Sequence, residues 1–283
     1  MGYLRMTGKL DGKVAFITGI ARGQGRSHAV TLAREGADII GLDSCKQPAT
    51  TPYPGATPED LEETVRLVEE AGHKIVAEQA DVRDLAQVQA VFDAGIAQFG
   101  RVDIVLPNAG ICAGGLTWEI APEAWQEMLD VNLTGPWNTV RVALPTMIEQ
   151  GDGGSIVFTG SVDALKGSAN ISSYAASKHG VTGLMRSLAN EVGRYGIRVN
   201  SINPGHVDTD MLGNEFVWRL FRPDLETPTK DDVVGSFAGT NLLPIPWMQP
   251  QDISNAILYL VSDAGRYATG TTQLLDSGFL AKS

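Results

Sequence analysis

Short, largely apolar runs alternate along this chain with longer stretches whose apolar positions recur at helical spacing. The runs at 14–18, 39–43, 75–80, 102–106, 155–159, 197–202 and 273–275 have the length and β-branched content of buried strands. Between them lie amphipathic helices. Ala29, Leu32 and Ala33 share a face that stops at Gly36, while Leu61, Val65 and Val68 follow Thr57 as N-cap and Pro58 in the first turn and end at Gly72. Further helical patterning covers 84–99, 124–148, 174–195 and 252–261. Short strands this rich in apolar residues, alternating with helices, predict a parallel sheet covered on both faces. Right-handed crossovers make it a doubly wound, Rossmann-type α/β fold with a mostly parallel seven-stranded sheet.

Two stretches break the alternation. Residues 44–58 form a proline-containing insertion after the second strand. Residues 206–249 carry Pro223, Pro228, Pro244 and Pro246 together with Phe216, Trp218, Phe221 and Trp247, which predicts a partly helical lid over the carboxyl edge of the sheet. With no low-complexity tract or Gly/Ser linker, residues 1–283 read as a single domain.

Charge narrows the function classes. The 22 Lys plus Arg against 33 Asp plus Glu give a net charge of −11, which argues against a phosphate-backbone reader that needs a basic surface. No apolar stretch approaches the roughly 20 residues of a membrane span, so neither nucleic acid nor membrane is an expected partner. Residues 1–10 hold no apolar core of signal-peptide length, and Met6 stands where a myristoylation signal after Gly2 needs Ser or Thr. A cytoplasmic protein is expected. Cys45 and Cys112 have no partner at disulfide or metal spacing, and His28, His73, His179 and His206 show no ligand motif, so no metal is expected.

The turn after the first strand reads Thr18, Gly19, Ile20, Ala21, Arg22, Gly23, Gln24, Gly25. Glycines there allow close backbone approach to a pyrophosphate, and the following helix start offers unpaired N–H groups and partial positive charge. Asp43 ends the next strand 18 residues beyond Gly25. A carboxylate at that place accepts both hydroxyls of an adenosine ribose and repels a 2′-phosphate, which points to NAD. Arg22 points the other way, because a guanidinium beside the turn can grip that phosphate; Asp43 carries the greater weight. Tyr174 and Lys178, four residues apart, share one face of a helix. An ammonium near a phenol stabilises the phenolate and lowers its pKa toward working range.

Taken in order, these segments resemble the short-chain dehydrogenase/reductase family. The resemblance rests on Thr18-Gly19-x-x-x-Gly23-x-Gly25, Asn108-Ala109-Gly110, Asn132, Ser161, Tyr174-x-x-x-Lys178 and Pro204-Gly205, and it spans nearly the whole chain. It implies that Tyr174 is the general acid/base, that Ser161 binds the reacting oxygen, that Lys178 holds the nicotinamide ribose and depresses the phenol pKa, and that Asn132 positions a water in a proton relay. It also implies adenine contacts from Asp81 and Val82, a ribose side lined by Asn108, Ala109 and Gly110, and a carboxamide anchored by Val207 and Thr209 after Pro204. Pro107 stands where the family often has another Asn, and Gly160 separates Thr159 from Ser161; neither removes a chemical group that the mechanism needs. Val162, Asp163, His206 and Met211 are candidates for the substrate pocket wall.

The turn through Arg26, Ser27, His28 and Ala29, the insertion, the Leu243-Pro244-Ile245-Pro246-Trp247 run and the ending Asp276-Ser277-Gly278-Phe279-Leu280 are similar to the mycofactocin-coupled, carveol-dehydrogenase-like subgroup. That likeness implies tightly held NAD and a separate peptide-derived electron carrier, while the wider family resemblance implies a homotetramer. Trp218, Phe221 and Trp247 would make the pocket apolar, which suits a hydrophobic secondary alcohol, a terpenoid for example, or its ketone. An ordinary freely exchanging NAD(P) carbonyl reductase, and a non-catalytic dinucleotide-binding regulator, remain as alternatives.

Overall fold

Seven parallel strands form the centre of the computed structural model, which describes residues 8–282, in the order β3-β2-β1-β4-β5-β6-β7. The readings of Gly2 and Met6 lie outside the described residues. The strands are β1 (Val14–Thr18), β2 (Asp38–Asp43), β3 (Ile75–Gln79), β4 (Ile104–Leu106), β5 (Gly154–Thr159), β6 (Ile197–Pro204) and β7 (Thr272–Leu275). Every ladder is parallel, so the sheet is wholly rather than mostly parallel. Period-two alternation sorts the side chains into two cores. Ala15 and Ile17 of β1 pack with Ile39, Leu106, Val157 and Ile202 on one face, and Val14 and Phe16 pack with Ile40, Leu42, Phe92 and Phe158 on the other.

The helices α1 (Gly23–Arg34), α2 (Pro58–Glu70), α3 (Leu85–Phe99), α4 (Pro122–Leu129), α5 (Gly135–Gln150), α6 (Ser172–Val192), α7 (Glu215–Phe221), α8 (Lys230–Thr240) and α9 (Pro250–Val261) cover both faces and the carboxyl edge. Local capping fixes several starts. Thr57 and Asp60 form a reciprocal capping box at α2, and the Asp84 carboxylate accepts from Ala86 and Gln87 at α3. The predicted helix over 124–148 is helical throughout but not uniformly α. A π-helical stretch, Asp130–Thr134, separates α4 from α5. Hydrophobic period is nearly blind to one extra residue in a turn, so the pattern reads straight through it.

The order of strands reverses between β1 and β4, which opens a crevice at their carboxyl ends, the place where ligands bind doubly wound sheets. The 206–249 segment, with α7 and α8, lies along that edge, and Val207 forms an isolated parallel bridge to Met248 that closes its base.

Candidate active site

A cleft of about 660 Å³ runs along this edge, from the insertion after β2 to α7 and α8. At its floor the backbone leaves β1 through Gly19, whose φ of +70° favours glycine, and enters α1. A Cβ at Gly25 would stand 1.9 Å from the Gly19 carbonyl oxygen, so the turn closes only on glycine there. Arg22 is the N-cap of α1 without a side-chain cap, and the first turn holds no acidic residue, which leaves its N–H groups open toward the cleft. The Gln24 side-chain oxygen is buried there without a partner. The glycine turn and the open N–H groups of α1 fit a bound pyrophosphate.

Asp43, at the end of β2, faces the same cleft. Its carboxylate accepts from the backbone N–H of Ala21 and of Cys45, both at 3.1 Å, which orients it and leaves lone pairs free for ribose hydroxyls. Burial pushes its pKa up, against those two hydrogen bonds and the nearby Arg22. Arg22 itself is committed elsewhere. Its guanidinium pairs with Asp210 at 3.0 Å and donates to the Pro54 carbonyl, so the sequence feature that suggested a 2′-phosphate is engaged within the protein.

Gly23, Asp81, Val82, Asn108, Ala109, Gly110, Pro204, Val207 and Thr209 also line the cleft. Two of these have their side chains occupied. Asp81 is paired with Arg83 at 2.6 Å, and Asn108 donates to the Thr18 and Gly19 carbonyls at 3.0 and 3.2 Å while accepting from Thr159 at 3.2 Å, joining the ends of β1, β4 and β5.

Ser161, Tyr174 and Lys178 converge where the cleft meets the lid. Ser161 follows β5 and caps a single 3-10 turn, its hydroxyl accepting from the Asp163 N–H at 3.1 Å and donating to the Asp163 carboxylate at 3.3 Å. Tyr174 and Lys178 stand in the first two turns of α6, both buried. Lys178 Nζ donates to the Thr159 carbonyl at 2.8 Å and lies 5.6 Å from the centre of the Tyr174 ring. Sequence spacing predicted that this ammonium depresses the phenol pKa. Against that expected effect stands burial, which, helped by Cys112 and Asp163, pushes Tyr174 well above its usual range, while the Ser161 hydroxyl pulls it down. Burial also brings Lys178 down to about 8.

Asn132 does not line the cleft itself but lies behind its wall, where its side-chain oxygen and Lys178 Nζ both stand beside Gly110. The π-helical stretch turns it fully inward, where its amide accepts from the Ile111 N–H and donates to the Ile111 carbonyl, both at 2.8 Å. Val162, Asp163, His206 and Met211 all reach the lid end of the cleft. His206 is ringed edge-on by Phe221, Phe237 and Phe279 at 5.9, 4.7 and 5.2 Å between ring centres. Burial lowers its pKa to about 4, keeping the imidazole neutral.

Sequence reasoning missed Tyr53, Cys112 and Glu127. Tyr53 comes from the insertion, is 6% exposed, and its hydroxyl accepts from the Cys112 N–H at 3.0 Å on the far side of the cleft. Glu127 of α4 accepts from the N–H groups of Ala49 and Thr50 at 3.2 and 3.0 Å and from the Thr50 hydroxyl at 2.6 Å. The insertion is thus tied down across the cleft at both of its flanks. The nearest sequence signal was the insertion itself, which has no periodicity to show where each side chain points. Among the described residues no helix is long and apolar enough to cross a membrane, and no group of three or more His, Cys, Asp or Glu side chains is placed to hold a metal.

Known proteins match this arrangement closely. The short chain dehydrogenase family model matches residues 13–219. The (-)-trans-carveol dehydrogenase of Rhodococcus erythropolis is 48% identical over 97% of this chain and 99% of its own length. Among solved structures, carveol dehydrogenase from Mycobacterium avium in complex with NAD superposes with a TM-score of 0.96 at 49% identity, covering 98% of this chain and 100% of that one. A short chain dehydrogenase from Mycobacterium paratuberculosis bound to NAD gives a TM-score of 0.89 at 43% identity, covering 97% and 100%. With a family model matched across most of its length and close relatives matched end to end, the chain belongs to the short-chain dehydrogenase/reductase family.

Proposed function

We propose that the protein is an NAD-dependent oxidoreductase that interconverts a hydrophobic secondary alcohol and its ketone, keeps NAD bound between turnovers, and passes electrons to an external, peptide-derived carrier of the mycofactocin type. The observation that carries the reaction class is the convergence of Ser161, Tyr174 and Lys178 at the junction of a dinucleotide-shaped cleft and an apolar pocket. Asp43 at the ribose end supports NAD over NADP, and relatives solved with NAD support the same choice. We take residues 1–283 as one unit, with 44–58 as the cofactor-side insertion and 206–249 as the substrate lid, acting in the cytoplasm. Exposed Trp125 and Trp137 on α4 and α5 support a homotetramer.

What NAD supplies when bound is a hydride acceptor at nicotinamide C4, together with the positive charge of its oxidised ring. The chain supplies the rest. Ser161 and Tyr174 hold the substrate oxygen from two sides, which aligns the carbinol C–H. Because burial keeps the phenol neutral, Tyr174 is ready to donate a proton to a ketone and must be relieved of one during alcohol oxidation. Lys178 holds the nicotinamide ribose, and Asn132 stabilises the Ile111 backbone that forms the wall behind it. Phe216, Leu220, Phe221 and Phe279 exclude water and favour an apolar substrate such as a terpenoid.

Retention of NAD is supported by the ties from the insertion, Tyr53 to Cys112, Thr50 to Glu127 and Pro54 to Arg22, which cross the cleft mouth. The test is to identify by absorbance and mass the cofactor released on denaturing fresh protein, then to assay an alcohol panel with free NAD and, separately, with an artificial electron acceptor. NAD in the protein, with turnover only when the artificial acceptor is present, is the expected result. Brisk turnover with free NAD would overturn the retained-cofactor reading.

A further inference from the structure

After β7 the chain makes a tight turn, Asp276 to Leu280, that is fixed from within. The Asp276 carboxylate, 7% exposed, accepts the N–H groups of Gly278 at 2.9 Å and Leu280 at 2.8 Å, and the Phe279 N–H donates to the Asp276 carbonyl at 3.0 Å. Ser277 and Gly278 both take left-handed backbone, with φ of +55° and +83°. The turn is also bound to the segment after α8. Its Ser277 carbonyl accepts the N–H groups of Leu242 and Leu243 at 3.0 and 3.1 Å, and Lys282 Nζ donates to the Asn241 carbonyl at 2.9 Å. A Cβ at Gly278 would stand 2.6 Å from the Leu242 Cβ, so the two backbones meet with no space between them.

Phe279 is the residue of this turn that lines the cleft. Its ring is held on two further sides. The ring centre lies 5.2 Å from that of His206, just past β6, and 4.7 Å from the Lys166 ammonium, which sits over the ring face. Lys166 belongs to the loop between Ser161 and α6, so Phe279 joins the end of the chain to the loop that carries Ser161. The cleft volume of about 660 Å³ lies within the range that encloses a single drug-sized ligand, yet it has to take a dinucleotide as well as a substrate. Beside the dinucleotide only a compact molecule fits.

We propose that Phe279 is the specificity-determining residue of the substrate pocket, a preset end wall that admits a compact, single-ring secondary alcohol or ketone and excludes fused-ring ones. The inference rests on the alcohol and ketone chemistry proposed above and adds a size limit to it. A flexible tail would yield to a larger substrate. This turn does not, because moving the ring outward breaks the hydrogen bonds to Asp276 or parts the turn from Leu242 and Leu243, and moving it sideways meets His206 or Lys166. A substrate that reaches past the ring therefore overpacks the pocket.

The experiment uses the full chain carrying its NAD, an artificial electron acceptor, and a pair of alcohols, cyclohexanol and a fused-ring decalin alcohol, and it reads the ratio of their kcat/KM values. Wild type is expected to favour cyclohexanol. Phe279→Ala is expected to move the ratio toward the decalin alcohol by roughly tenfold or more, and Phe279→Trp to move it the other way, with NAD content in both as in wild type. An unchanged ratio in Phe279→Ala overturns the proposal, as does a wild-type preference for the larger alcohol. Movement in the same direction by both variants also overturns it, since that marks a loosened fold rather than an end wall. Binding of cyclohexanone and the decalin ketone, followed by saturation-transfer NMR without turnover, reads the size limit apart from the chemistry. If wild type turns over neither alcohol but binds the smaller ketone in a preference that Phe279→Ala reverses, the reaction reading fails and the wall stands. Binding of both ketones alike by wild type, or of neither, overturns the wall.

Discussion

Replacing Tyr53 with Phe removes a single hydroxyl from the strap over the cofactor cleft and leaves the ring in place. In the folded protein that hydroxyl accepts the Cys112 N–H at 3.0 Å, and Tyr53 is 6% exposed, so water cannot readily take over. Leaving a buried donor unsatisfied costs about 1–3 kcal/mol. If the strap must lift before NAD departs, the closed state loses that amount relative to the open one, and release accelerates by about 5- to 150-fold. The assay loads the protein with isotopically labelled NAD and follows its exchange against excess unlabelled NAD by rapid desalting and mass spectrometry. Glu127→Gln, which weakens the second tie at Ala49 and Thr50, should accelerate exchange separately. The double variant should multiply the two factors, because the ties share no partner. Exchange in Tyr53→Phe as slow as in wild type, with the fold intact by circular dichroism, would refute the reasoning and show that release does not pass through opening at this contact.

Tyr174→Phe should lower turnover in both directions by roughly 10²- to 10⁴-fold, the range for loss of a general acid/base, while NAD content measured on the purified variant stays unchanged. Gly25→Ala drives a Cβ to 1.9 Å from the Gly19 carbonyl and should abolish NAD content; a variant that still carries stoichiometric NAD would contradict the tight-turn argument. Burial lowers His28 from 6.5 to about 3 and His206 from 6.5 to about 4. Because these pKa values are depressed in the folded state, their contribution is complete above pH about 6.5 and is lost as pH falls toward the folded values, at about 1.4 kcal/mol per pH unit for each. Urea titrations at stepped pH should show this slope, shallower in His28→Gln, and an equal slope in that variant would dismiss His28 as a source.

Parts of this site are legible in the chain because they are local. The glycine turn, Asp43 at the end of β2 and the Tyr174 and Lys178 pair all sit at set offsets from strand ends or helix starts. Local pattern also carried the reading of 206–249 as partly helical, as α7 and α8 bear out. It did not reveal the π turn at Asp130–Thr134 inside the helical run it predicted. Spacing shows that an ammonium is near Tyr174, and packing adds how completely the phenol is desolvated.

By itself, the sequence determined the largely apolar strands, their alternation with helices and hence the doubly wound sheet, because backbone period and burial are local properties repeated along the chain. It likewise determined which residue types meet the carboxyl edge. Only the tertiary structure decided that Tyr53 reaches Cys112, 59 residues away, that Glu127 holds Thr50 across 77, and that Arg22 is engaged with Asp210 and Pro54 rather than free for a phosphate. Those contacts join segments without periodicity, and their formation depends on the shape of the assembled cleft rather than on any offset along the chain.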